Sequence, residues 1–141
     1  MTVLPSQPTN SEASISTLVD LLRHRADDRA DAIAFTFLEN GEQERDRWSY
    51  GVLDRRARAI AARLQSSHSP GDRVLLLYPP GLEFIAAFFG CLYAGAIAVP
   101  VYPPRRNHHL HRLQAVFEDA DATVAMTTQD IPTKMERTKV E

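Results

Sequence analysis

The chain has 141 residues, 44% of them hydrophobic and 24% charged, with a formal net charge of −2. That is enough apolar material for one core, without the basic surplus of a dedicated nucleic-acid binder. Cys91 is the only cysteine, which excludes an intrachain disulfide and a cysteine metal cluster and leaves a buried, inert thiol as its expected state. The opening residues, MTVLPSQPTNSEAS, hold neither a basic region nor an apolar run, so they do not read as a secretory signal, and the cytoplasm is the expected compartment.

Residues 1–14 are polar and irregular and are read as a flexible arm. Ile15, Leu18, Val19 and Leu22 recur at helical spacing and predict an amphipathic helix ending near Arg25. Residues 32–38, AIAFTFL, predict a strand. Asn40-Gly41 follows, a pair favoured where a hairpin needs positive φ, and residues 42–48 supply a polar return strand. Ser49 is placed to cap the next helix, whose inner face is Leu53, Ala57, Ile60, Ala61 and Leu64. Its other face carries Arg55, Arg56, Arg58 and Arg63; the expectation is a solvated side, with an anionic partner as the alternative.

After the loop SSHSPGD (66–72) come an apolar strand over 74–78 and a Pro79-Pro80-Gly81 break. A crossover helix over 82–94 and a further strand over 97–101 follow. Residues 84–102 carry no charge, a run close to the ~20 residues that span a bilayer. Gly90, Gly95 and Pro100 interrupt it, and a buried helix followed by a buried parallel strand is the better reading. Leu110, Leu113 and Phe117 predict a helix ending near Ala120, and residues 123–126 a short strand. Strands alternating with helices, and apolar on both faces, predict an α/β fold. Its sheet is mainly parallel with helices on both faces, and a short β-hairpin is added. The tail, residues 129–141, is charged and without pattern and is read as truncated.

No constellation of catalytic residues emerges. Gly90 and Gly95 have the spacing of a phosphate-binding loop, but Ala96 and Ile97 stand where Lys and Ser/Thr belong. His108, His109 and His111 point in different directions on a helix, so they do not predict a metal site. Together with Arg105, Arg106 and Arg112 they make a basic region suited at most to weak contact with a phosphate or acidic partner. Ser49, Ser66, Ser67 and Ser69 lie in cap or loop contexts, and His68 has no evident orienting acid. Glu83, near the start of the crossover helix, suits the helix dipole and is expected to be structural.

Three stretches together carry a family resemblance. WSYGVLDRRARAIAARL (48–64) resembles the first core motif of adenylate-forming enzymes, GCLYAGAIAVPVYPP (90–104) the second, and RLQAVFEDADATVAMTT (112–128) the helix and strand that follow. Tyr78-Pro79-Pro80-Gly81 and Tyr102-Pro103-Pro104 resemble the fatty acyl-AMP ligase branch in particular. Val52 departs from the pattern, standing where the family often has a Glu that completes a capping box. The resemblance implies that residues 15–128 are the N-terminal portion of an AMP-binding (adenylation) domain, part of the large domain of such an enzyme. It implies ATP and Mg²⁺ as cofactors of the whole enzyme, with neither bound tightly by this stretch. A fatty acid and an acyl carrier protein would be its partners, with no nucleic acid and no membrane span. The family's Lys loop, ribose-binding acid and C-terminal-domain Lys have no matching position here. No catalytic, cofactor-binding or metal residue is therefore expected, and the stretch alone is expected to be inactive. The alternatives are a portion of an acyl-CoA synthetase or peptide-synthetase adenylation domain, and a non-catalytic relic acting as an interaction module.

Overall fold

A computed structural model describes residues 15–103 and 110–128. The elements run in the order helix α1 (Leu18–Asp28), strands β1 (Ile33–Glu39) and β2 (Gln43–Ser49), helix α2 (Tyr50–Gln65), strand β3 (Arg73–Leu77), helix α3 (Leu82–Ala94), strand β4 (Ile97–Pro100), helix α4 (Leu110–Asp119) and strand β5 (Val124–Thr127). The predicted arm, the tail, Arg105, Arg106, His108 and His109 lie outside the described residues, as does the side chain of Leu110.

Helix α1 begins later than its apolar spacing suggested, because Thr17 and Asp20 form a capping box. The Asp20 amide donates to Thr17 Oγ1 (3.0 Å) and the Thr17 amide to Asp20 Oδ2 (3.2 Å). Ile15 is left outside the helix, which continues past Arg25 to Asp28. At the hairpin, Asn40 and Gly41 have φ values of 54° and 79°, and the Glu42 amide donates to the Glu39 carbonyl. Positive φ at both central residues matches the twist of the antiparallel β1–β2 pair. Ser49 Oγ accepts from the Val52 amide and caps α2 without the reciprocal bond of a capping box. Val52 instead packs against the cluster of Leu22, Trp48 and Leu53, where a Glu would bring charge against apolar surface.

The three-stranded sheet has the order β4-β3-β5 and is parallel throughout. Period-two alternation sends the side chains of β3 to opposite faces. Val74 and Leu76 pack against Ala61 and Leu64 of α2 and Ala87, Cys91 and Ala94 of α3. Leu75 and Leu77 pack against Leu113 of α4 and against Ala122. The sheet thus carries helices on both faces, as the apolar strands predict. No described helix is long and apolar enough to cross a membrane: the uncharged run divides where Gly95, in the left-handed region (φ 74°), ends α3.

The two glycines with phosphate-loop spacing have packing and capping roles. A Cβ on Gly90 would meet Cγ2 and Cβ of Ile60, the latter at 2.7 Å, so glycine is what lets α2 and α3 approach.

Candidate functional site: a crevice at the carboxyl ends of the sheet

The crossover β3–α3–β4 pairs Arg73 with Ile97, Val74 with Ala98, Leu75 with Val99 and Leu76 with Pro100. Partners are therefore separated by 97 − 73 = 24 positions throughout. Tyr78-Pro79-Pro80 and Tyr102-Pro103-Pro104 stand apart by the same interval, 102 − 78 = 24. Tyr78-Pro79 and Tyr102-Pro103 thus leave neighbouring strands in step. Proline supplies no N–H to a ladder and restricts the residue before it to extended backbone. The last β3–β4 ladder bond runs from the Val101 amide to the Leu76 carbonyl (3.0 Å), and beyond it the two chains part.

They part toward opposite faces, since β3 feeds α3 on one side of the sheet and β4 leads on to α4 on the other. Adjacent parallel strands that diverge in this way leave a crevice outside their carboxyl ends, the usual place for a ligand in an open α/β sheet. Here the space is about 340 Å³ and is lined by Tyr78, Pro79, Pro80, Phe84, Pro100, Val101 and Tyr102. None of these residues is charged, and three of them have no backbone donor. Burial holds the Tyr78 phenol above its ordinary range, with the nearby Glu83 carboxylate acting in the same direction. Tyr102 is 88% exposed and forms the open wall.

Two polar assemblies tie α2 to α3. Arg56 lies over the Trp48 ring, 4.1 Å from its centroid, and reaches Glu83 in the first turn of α3 (3.1 Å). Asp54, buried, accepts from the Tyr93 hydroxyl and from Arg58 Nε, both at 2.7 Å. Arg23 and Arg58 flank the Tyr93 ring. Burial first, and then the Asp54 carboxylate, push the Tyr93 phenol well up. Two of the four arginines expected on a solvated face, Arg56 and Arg58, are thus paired with carboxylates while remaining about half exposed. Glu83, in the first turn of α3, is paired with a residue 27 positions away.

The remaining sequence candidates are not brought together. Ser67 Oγ and His68 Nδ1 are 2.8 Å apart on the surface, and no acidic partner of His68 is among the described hydrogen bonds and ion pairs. His111 is exposed. Cys91 is fully buried, and burial raises its thiol to about 11, so it is protonated at neutral pH. The crevice itself was missed by reading residue types one at a time; the repeated Tyr-Pro-Pro wording and its interval were the available signal.

Residues 22–141 match the model of the AMP-binding enzyme family. The medium-chain-fatty-acid–[acyl-carrier-protein] ligase JamA of Moorena producens is 50% identical over 120 residues, covering 83% of this chain and 20% of the relative. The long-chain-fatty-acid–AMP ligase FadD32 of Mycolicibacterium smegmatis is 40% identical over 119 residues, covering 82% of this chain and 19% of the relative. A solved fatty acyl-adenylate ligase from L. pneumophila, in complex with acyl adenylate and pyrophosphate, superposes with a TM-score of 0.78 at 41% identity. That superposition covers 89% of this chain and 22% of the ligase. The chain thus spans about a fifth of the length of the curated relatives it matches. With its doubly covered parallel sheet and a family match over most of its residues, the chain belongs to the AMP-binding enzyme family.

Proposed function

We propose that this chain is part of a fatty acyl-AMP ligase and contributes scaffold and a crevice wall to its large domain. In the first step a fatty acid carboxylate oxygen bonds to the α-phosphorus of ATP, and the bond to pyrophosphate breaks. In the second, a phosphopantetheine thiol of an acyl carrier protein loses its proton and attacks the acyl carbon, and AMP leaves. The observation that carries this reading is the superposition of 89% of the chain on a fatty acyl-adenylate ligase at 41% identity.

The described residues do not fit the magnesium and triphosphate of such a reaction. No three His, Cys, Asp or Glu side chains converge among them, and the crevice wall has no cation. Arg56 and Arg58 are already held by carboxylates. No chemical step is therefore assigned to this stretch, which on its own is expected not to adenylate a fatty acid.

The test uses the full-length protein with ATP, Mg²⁺ and a series of fatty acids. Acid-dependent pyrophosphate release, followed by acyl transfer to a phosphopantetheinylated carrier protein in preference to coenzyme A, is expected. Efficient transfer to coenzyme A would move the protein to the acyl-CoA synthetases. No acid-dependent release would remove the ligase reading.

A further inference from the structure

We propose that the concavity between α1 and β1 seats a later segment of the same full-length polypeptide, one that presents bulky apolar side chains beside a carboxylate. The space is about 260 Å³, and its lining includes Leu18, Leu21, Arg25, Phe35, Tyr50 and Phe89. It is built on the cluster of Leu22 and Leu53 rather than on the parallel sheet. The elements that form it leave apolar side chains uncovered. Leu22 is the one buried residue of α1, while Leu18 and Leu21 are 51% and 36% exposed. No residue of β1 is buried, and Phe35 is 40% exposed. An 11-residue helix and a two-stranded hairpin are each marginal in water and take their stability from packing. Both therefore require a cover on this side.

Charge sets the chemistry of that cover. Arg23 lies over the Tyr93 ring and Arg29 is paired with Asp28. Arg25 instead lines the concavity and has no ion-pair partner among the described residues. A guanidinium beside an apolar hollow favours a carboxylate, which it can hold by two parallel hydrogen bonds. Length decides which chain supplies it. This chain covers 20% and 19% of two curated relatives, so a full-length protein of their size carries most of its residues elsewhere in the same polypeptide. A tethered segment competes at an effective concentration of about millimolar, well above that of a second copy at micromolar levels. Residues 9–14, TNSEAS, adjoin α1 in sequence but hold no large apolar side chain with which to fill the space.

Two measurements on the full-length protein test this, and neither depends on catalysis. The first compares thiol alkylation of Leu18→Cys with that of Ala62→Cys, an exposed control on α2; the native Cys91 is fully buried. Alkylation at position 18 should be at least about tenfold slower than at position 62, at a rate independent of protein concentration. Adding Arg25→Glu should speed it severalfold and leave the control unchanged. The second places a photoreactive benzoylphenylalanine at position 35. On irradiation it should cross-link to a peptide beyond residue 141 of the same polypeptide, one that contains Asp or Glu. Equal alkylation rates at the two positions show the concavity bare and overturn the assignment. So do cross-links that double the mass, cross-links confined to residues 1–14, a captured peptide without an acid, or no cross-link at all. Pyrophosphate release from the same preparation reports on the ligase reading separately, so either can fail while the other stands.

Discussion

At the scale of single residues, position rather than residue type decides what each group does. Gly90→Ala illustrates the balance. Alanine gains about 1 kcal/mol over glycine in a helix interior, but the new methyl would drive into Ile60, and overpacking costs about 1–3 kcal/mol. A net loss of stability is expected in thermal melts. Trimming Ile60 to Ala should not restore it, because the Ile60 Cβ itself lies 2.7 Å from the new atom. A second expectation concerns alkaline pH. The folded Cys91 thiol is raised from 9.0 to about 11, and the folded Tyr93 phenol is raised above 10.0. Both hold their protons more tightly folded than unfolded. Their contribution is complete below about pH 9 and is lost as the pH climbs through the raised values. Unfolding midpoints should therefore be flat to pH 8 and fall above it. Tyr93→Phe should start about 2 kcal/mol less stable, having lost a hydrogen bond to a carboxylate, and should fall less steeply.

At the scale of elements, much of this architecture is legible from the sequence, because local signals and tertiary demands agree. The break at Pro79-Pro80-Gly81 and the left-handed Gly95 bound α3 at the very residues expected, Leu82–Ala94. Asn40-Gly41 makes the turn its composition announces. Agreement ends where the deciding contact is distant in sequence. The Tyr93–Asp54 bond joins residues 39 apart, and no periodicity announces that an arginine on the outer face of α2 will stack on a tryptophan of β2. The crevice falls between these cases: both Tyr-Pro-Pro segments are plain to read, but their alignment depends on strand register. The Arg56 contact can be tested through Trp48, the only tryptophan. Because Arg56 is about half exposed, Arg56→Ala should cost no more than about 1 kcal/mol. Trp48 emission should shift to the red as the ring loses its cover, while Glu83→Gln, which spares the stack, should leave it in place.

At the scale of the whole molecule, the described residues present apolar surface that no described element covers. Leu18, Leu21, Ile33, Phe35 and Leu38 are each at least a third exposed, and Leu18, Leu21 and Phe35 line one concavity between α1 and β1. Among the described strands, β4 and β5 are sheet edges. Surfaces of both kinds promote association. The 141-residue polypeptide should therefore elute above its monomer mass in gel filtration at micromolar concentration, and Leu18→Lys with Ile33→Lys should shift it toward monomer. A sharp monomer peak for the unaltered chain would contradict this.

The constant interval between β3 and β4 has a last consequence, for which sequences can replace this one. Strand residues alternate between faces, so a slip of one position would exchange the sides on which Val99 and Val101 lie. It would also set one Tyr-Pro-Pro segment out of step with the other. The stretch from the end of β3 to the start of β4 therefore acts as a ruler whose graduations matter more than its material. Many substitutions in α3 that keep its buried side apolar can be accommodated, but a single inserted or deleted residue must be absorbed in the short turns at either end, or the crevice loses its matched walls. Length is the heritable property of this crossover.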